Sequence, residues 1–426
     1  MRITSALVDP ALIDLPWSTP LEEWPSDHLV ALPQGISRHV VRFVKLQGTV
    51  YAVKETREKI AEREYDLLRA LERIGAPSVE AVAIVADRLA LSGEVLEPVL
   101  VTRHLQFSLP YRALFSHTLR PETMNRLLDA LAALLVRMHL LGFFWGDCSL
   151  SNTLFRRDAG AFAAYLVDAE TGQLHLRLSN GQRGEDLEIA RTNIFGEALD
   201  LQAAGLLHDG IDPEHVSDEV VRRYETLWHE LTFEQAVQDD VVPQQTAPQR
   251  QQDTRRQIDK RIRRLNELGF DVEEVSMSIV EDGGHRTVML RPKVVDAGHH
   301  TRRLLRLTGL DAEERQARAL LNDLDAYRAE SDDLPDESQA AHRWLTEVFE
   351  PVIRAVPSEL RGKLEPPELF VQIIGHRWQL SEDAGRDVGL APAVQSFLSN
   401  VLVHRPDERA VLGYETDSDE IGALID

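Results

Sequence analysis

The stretch Gly142–Phe155, GFFWGDCSLSNTLF, decides how the rest of the chain is read. It sets Asp147 and Asn152 five residues apart, with apolar residues on both sides. Thirteen residues beyond its end a second aspartate, Asp168, stands in YLVDAETG. Upstream, Lys54 lies inside the strand-like run TVYAVKE. The chain has six lysines against 41 arginines, so a lysine between apolar neighbours is conspicuous. A bare ammonium there is costly unless it has a partner. Together these four residues suggest a phosphate-handling site.

Composition bounds the possibilities. A length of 426 residues predicts two or three domains. The 43% apolar content is enough to build real cores. A net charge of −23 repels phosphates, which argues against a nucleic-acid-binding or anionic-membrane surface. One cysteine excludes an internal disulfide framework and a Cys-cluster zinc site, and a reducing, cytoplasmic compartment is expected. The first residues, MRITSALVDPALIDLPW, make a poor signal peptide. No apolar run approaches 18 residues, so no transmembrane segment is expected.

In chain order, residues 1–27 read as an extended lead-in, rich in proline, with Trp17 and Trp24 expected to pack on the first domain. LVALP, VVRFVKL and TVYAVKE predict three antiparallel strands joined by tight turns. The first turn contains a single glycine, Gly35. A helix is predicted over about Arg57 to Ile74, because Ile60, Ala61, Leu67, Leu68 and Leu71 recur at helical spacing. VEAVAIVAD and EPVLVTRHL predict two further strands. ETMNRLLDALAALLVRMHLLG predicts a long apolar helix, followed by the key loop and a short hairpin in NTLFR and AYLVDAE. Helices are expected at 183–209 and 217–235. Residues 236–254, rich in Gln with two prolines, predict a linker. Residues 255–410 predict an α/β and then helical domain, and 411–426 an acidic tail.

Phosphoryl transfer needs a lysine on the phosphates, oxygen ligands for Mg²⁺ and a carboxylate that positions the acceptor hydroxyl. Lys54, Asn152, Asp168 and Asp147 offer this set, and Glu64, ten residues after Lys54, is placed to partner the ammonium. Glu62 is its runner-up, two residues away and so on another side of the helix.

At this point the chain resembles the protein-kinase-like superfamily, nearest in flavour to bacterial lipopolysaccharide-kinase and aminoglycoside-phosphotransferase types. The resemblance covers about residues 28–235 and is carried by four short motifs in order: AVKE, EREYDLLRAL, MHLLGFFWGDCSLSNTLF and YLVDAET. It implies an α+β, two-lobed kinase-like fold, with an antiparallel sheet plus helix followed by a mainly helical lobe. It implies ATP and Mg²⁺ as cofactors. By position, Lys54 resembles the phosphate-binding lysine, Glu64 its ion-pair partner and Asp147 the catalytic-loop base. Asn152 and Asp168 resemble the metal-binding pair, with Glu170 as a further metal ligand or a solvated turn residue. Gly35 is a turn glycine or lines the nucleotide. The residues after 254 resemble a bacterial domain of unknown function that accompanies such kinase-like parts.

Three departures stand out. Gly35 is alone where protein kinases have three glycines, Trp145 stands where they have His, and Ala169-Glu170 follow Asp168 instead of Phe-Gly. No APE-like end of an activation segment is present, so no peptide platform is indicated, and the expected acceptor is a hydroxyl of a small molecule, of sugar or lipid type, or of a protein. The alternative is a catalytically weak or inactive scaffold, binding nucleotide or a protein partner through the C-terminal domain. Other features take plainer readings. Cys148 is expected to be a packed thiol, His139 a satisfied core histidine and His299-His300 no metal site. The basic helix Arg255–Arg264 is expected to be a solvated face or a dock for the chain's own acidic surface.

Overall fold

The computed structural model describes residues 1–5, 10–26, 29–30, 39–114, 121–207, 210–232, 235–238, 272–282, 285–294, 298–330 and 336–405. Gly35, the helix expected at 255–264, and the tail at 411–426 lie outside the described residues.

The first layer is an antiparallel sheet. Strands β1 (Arg2–Ser5), β2 (Val40–Leu46), β3 (Thr49–Glu55), β4 (Glu80–Ala86) and β5 (Val99–Arg103) stand in the order β1-β4-β5-β3-β2. β2 and β3 are joined by Gln47-Gly48, with φ of +48° and +90°. Positive φ at both residues is what a two-residue hairpin turn with the right twist requires. β3 is an interior strand, and Lys54 pairs with Val41 on one side and Leu100 on the other.

The expected extended lead-in is corrected at its start: Arg2–Ser5 add an edge strand to β4, with Arg2 opposite Ala86. Of the strand expected from Leu29, the described part makes only an isolated bridge to Val44. Trp17 and Trp24 pack edge to face, with ring centroids 5.2 Å apart, on a core that includes Val44, Val53 and Val99.

Helix α1 (Glu58–Arg73) crosses the sheet. It buries Ala61, Glu64, Tyr65, Leu68 and Leu71, an i, i+3, i+4, i+7 stripe with one acid in it. A second, mainly helical layer follows. The apolar helix α2 (Pro121–Leu140) and helix α3 (Asn180–Ala203) both pack against α4 (Pro213–Thr232). Between α2 and α3 run the loop Leu141–Asn152 and the hairpin β6 (Thr153–Asp158) and β7 (Ala161–Leu166). Trp145, Cys148 and Leu150 of that loop lie in the main core with Leu131, Leu135 and Ile194.

The C-terminal part opens with a three-stranded sheet of Gln235–Gln238, Val272–Asp282 and His285–Val294. The linker expected at 236–254 therefore has its first three residues in a strand, and 239–254 lie outside the described residues. Helices α5 (His299–Thr308), α6 (Glu314–Glu330), α7 (Glu337–Trp344), α8 (Glu350–Ala355), α9 (Pro366–Ala384) and α10 (Leu390–Asn400) complete it. They enclose a separate core around Trp344, Phe349 and Phe370. Among the described residues, no helix is long and apolar enough to cross a membrane. The class is the expected α+β one: an antiparallel sheet plus helix, then a mainly helical layer, with an α/β and helical extension.

Candidate active site

Two clusters form the site, and each gathers residues far apart in sequence. In the first, the Lys54 ammonium donates to Glu64 Oε2 at 3.1 Å, Asp168 Oδ2 at 2.6 Å and Glu170 Oε2 at 3.1 Å. The sheet supplies Lys54, the buried stripe of α1 supplies Glu64, and the chain leaving β7 supplies Asp168 and Glu170. Asp168 Oδ1 also accepts the Glu170 N–H at 2.9 Å, which folds the chain back so that both acids face the lysine. The carboxylate oxygens of Glu64, Asp168 and Glu170 lie within 4.8 Å of one another, and no other such metal-capable group occurs among the described residues.

Burial opposes the charge on Lys54, but Glu64 and then Asp168 more than compensate, so its pKa is raised above the ordinary lysine value. Burial pushes Glu64 the other way for an acid. Desolvation raises it, Asp168 adds to the rise, and Lys54 only partly offsets them. Burial is the larger cause for Glu64 and its acidic neighbours the smaller, so this most buried acid is drawn toward its protonated form, while the lysine stays charged. A hard cation with oxygen preference fits this donor set.

The second cluster holds Asp147. Its Oδ2 accepts from the Asn152 amide at 3.2 Å and its Oδ1 from the Asn193 amide at 3.0 Å. The Asn152 amide also donates to the Asp147 carbonyl at 3.0 Å, closing the loop on itself. Two carboxamides thus set the plane of the carboxylate. Trp145 ties the clusters together. It is fully buried, and its indole N–H donates to the Asp168 carbonyl at 3.1 Å, while its own carbonyl accepts from Thr171 at 2.9 Å.

The loop backbone is held from α3. Asp186, completely buried, accepts the Trp145 and Gly146 N–H groups, each at 2.7 Å, and His139 Nε2–H at 3.0 Å. One turn beyond Asn193, Glu197 accepts the Leu150 N–H at 2.6 Å and the Ser151 N–H at 3.1 Å. The turn into the loop needs a glycine: Gly142 has φ +82°, and a Cβ there would stand 2.1 Å from the His175 carbonyl oxygen.

Lys54, Glu64, Asp168 and Glu170 therefore meet, and Asp147 meets Asn152. Asn152 bonds Asp147, while Glu64 joins Asp168 and Glu170 in the three-carboxylate group. Glu62 is half exposed and lies 3.9 Å from Arg2, well away from the lysine's partners. Cys148 is buried, and burial raises its thiol well above the ordinary value, as suits a packed residue. His139 is a core residue bonded to Asp186 and, through Nδ1, to the Tyr224 hydroxyl at 2.7 Å. His300 pairs with Glu314 at 2.9 Å.

Sequence reasoning missed four contributors. Asp186, Asn193 and Glu197 carry one signal, a seven- and four-residue spacing that places them on one helix face. His39 is the fourth. Its Nε2 lies 3.1 Å from Glu170 Oε2, at the start of β2, and nothing in its neighbourhood in sequence marks it.

The site brings a sheet lysine, a helix glutamate, a loop aspartate and an aspartate after the hairpin into one α+β region. Residues 44–195 match the model of the lipopolysaccharide kinase (Kdo/WaaP) family. Residues 226–402 match a second model, a domain of unknown function (DUF4032). The solved structure of WaaP in complex with acyl carrier protein is similar at 16% identity and a TM-score of 0.35, over 63% of this chain and 99% of that one. No curated protein matches the chain in sequence.

Proposed function

We propose that this chain transfers a phosphoryl group from ATP, with Mg²⁺, to a hydroxyl of a sugar- or lipid-type acceptor. One observation carries the reading: Lys54 bridges Glu64 and Asp168, residues ten and 114 positions away. A lysine that only stabilised the sheet would not need to gather acids from both lobes. The family match over 44–195 supports the acceptor class.

In this reading Lys54 orients the phosphates and Glu64 keeps it extended toward them. Asp168, Glu170 and Asn152 are the residues that would hold the metal. Bound Mg²⁺·ATP supplies the phosphoryl group and the charge that neutralises its oxygens. Asp147 orients the acceptor hydroxyl and takes its proton, with Asn152 and Asn193 fixing the carboxylate. Trp145 keeps the two clusters in register through the Asp168 carbonyl.

The test is a thermal-shift titration with ATP and Mg²⁺ on wild type and Asp168→Asn. Ligand that binds the folded state raises its melting temperature by mass action. A metal-dependent rise in wild type that is lost in the variant is expected; no rise in wild type would overturn the reading.

One observation favours a second reading, a nucleotide- or partner-binding scaffold without turnover. Lys54 and His39 pair Glu170, and Lys54 also pairs Asp168, so both acids already have cationic partners. A protein partner on the C-terminal part belongs with that reading. ADP release by wild type that disappears in Asp147→Asn would exclude it.

A further inference from the structure

We infer that the C-terminal domain is a positioning brace for the phosphate site, acting through the β6–β7 hairpin. The inference rests on the reading above that Asn152 and Asp168 serve phosphate chemistry. Asn152 immediately precedes β6, and Asp168 comes two residues after β7. The hairpin is thus a strut about 20 Å long, at roughly 3.3 Å per residue. One end carries two site residues. The other end is gripped by the C-terminal domain.

The root is tied to the first domain, where Val79 N–H donates to the Leu166 carbonyl at 2.9 Å and Leu166 N–H to the Pro77 carbonyl at 3.0 Å. The tip is tied elsewhere. Asp158 Oδ1 accepts the Arg315 and Gln316 N–H groups, both at 2.9 Å, and so caps the first turn of α6. Those N–H groups have no partner within the helix. Gln316, itself fully buried, donates to the Arg157 carbonyl at 2.9 Å and to Glu368 Oε2 at 2.8 Å. Glu368, from α9, accepts the Ala159 N–H at 2.9 Å.

The strand faces are held as well. Arg156 on β6 pairs with Glu313 at 2.8 Å and with Glu365. Tyr165 on β7 donates to both Glu313 oxygens, at 2.7 and 2.8 Å. Ala159 adopts φ +50° ahead of Gly160 at +81°, a left-handed pair that a non-glycine residue adopts at a cost. The strained residue is the one whose N–H the C-terminal domain takes.

A paired hairpin is stiff, so a released tip displaces its root. A shift of about 1 Å in reacting groups costs about 100-fold in rate, which makes such a strut worth bracing.

The test is hydrogen–deuterium exchange on the full chain, comparing wild type with Asp158→Ala, Gln316→Met and Asp158→Asn. The asparagine variant keeps a carbonyl oxygen for the two α6 N–H groups. Gln316→Met keeps the packing and removes the amide, both its donors to Arg157 and Glu368 and its acceptor for the Glu313 N–H, which covers the case in which Asp158→Ala fails to fold. Expected is exchange at least about tenfold faster over 150–153 and 166–172 in the alanine and methionine variants. Asp158→Asn should stay close to wild type, and β5 should be unchanged throughout. Faster exchange confined to 157–161 and 313–317 would overturn the brace, as would equal acceleration everywhere. Adding ATP and Mg²⁺ to wild type reports on the phosphate reading separately. No protection at 166–172 in that arm removes that reading, while the variants still decide the mechanical coupling.

Discussion

Two buried charged clusters hold this molecule together, and they are built on opposite plans. Around Lys54, three carboxylates converge on one ammonium, and Glu64 receives no other hydrogen bond in that group. At the domain junction, the acids meet many fixed donors. Asp158 takes two backbone N–H groups, Glu368 takes one backbone N–H and two glutamine amides, and Glu313 takes a phenol and a guanidinium. The junction acids are met mainly by backbone N–H groups and packed side chains, with Arg156 Nε left buried without a hydrogen-bond partner. The Lys54 cluster sets three carboxylates around one movable ammonium, with His39 beside Glu170. The difference shows which cluster is suited to exchange its cation for a ligand and which to stay closed.

The sharpest way to break this contrast is Asp147→Asn. If the first region does chemistry, kcat should fall by about 10³, while ATP affinity from equilibrium dialysis stays within about threefold. An equal loss in both would make Asp147 a binding group. Next comes a matched pair of cation removals. Arg156→Met strands Glu313 and Glu365, and breaking a buried pair from one side costs about 3–5 kcal/mol. Lys54→Met should cost less in urea unfolding, because Asp168, its nearest partner, is more open to water than Glu313 or Glu365. A larger loss from Lys54→Met would reverse the comparison.

A pH profile sharpens it further. Burial, with Glu313 adding, raises the Asp158 carboxyl from an ordinary 3.8 to about 7. Between those values the folded state binds more protons than the unfolded chain, so stability falls as pH rises from about 4 to about 7 and levels off above. The loss is at most about 4 kcal/mol at 1.36 kcal/mol per unit, and Asp158→Asn should flatten that part of the curve of unfolding free energy against pH. The smallest effect belongs to Glu62→Ala, expected within about 0.5 kcal/mol of wild type and without effect on nucleotide binding, against a clear loss for Glu64→Ala.

Much of this was readable in the chain, for a physical reason. Lys54 and Asp168 are polar residues beside apolar runs, so each contradicts its own neighbourhood, while Glu64 stands in the charged stretch EREYD and is marked only by its place ten residues after Lys54. The hairpin and α2 announce themselves by strong periodicity. The edge strand Arg2–Ser5 does not: it is four residues long, and its partner lies about 80 positions away. Asp186, Asn193 and Glu197 resemble the solvated face of an ordinary helix until the loop they hold is seen. The junction residues fail for the same reason, since Arg156, Asp158 and Glu313 read as surface charges when their partners lie more than 150 positions off. Long-range polar pairing leaves no local mark.

The stripe on α3 has a consequence for how this protein can vary in length. Asp186, Asn193 and Glu197 grip successive parts of one loop, and they share a face only while the residue count between them is kept. A single inserted or deleted residue turns one anchor away from the others by about 100°. Chain-length differences among relatives should therefore be absent between 186 and 197. They should collect after Ala203, where the helix ends and extra residues change no angle.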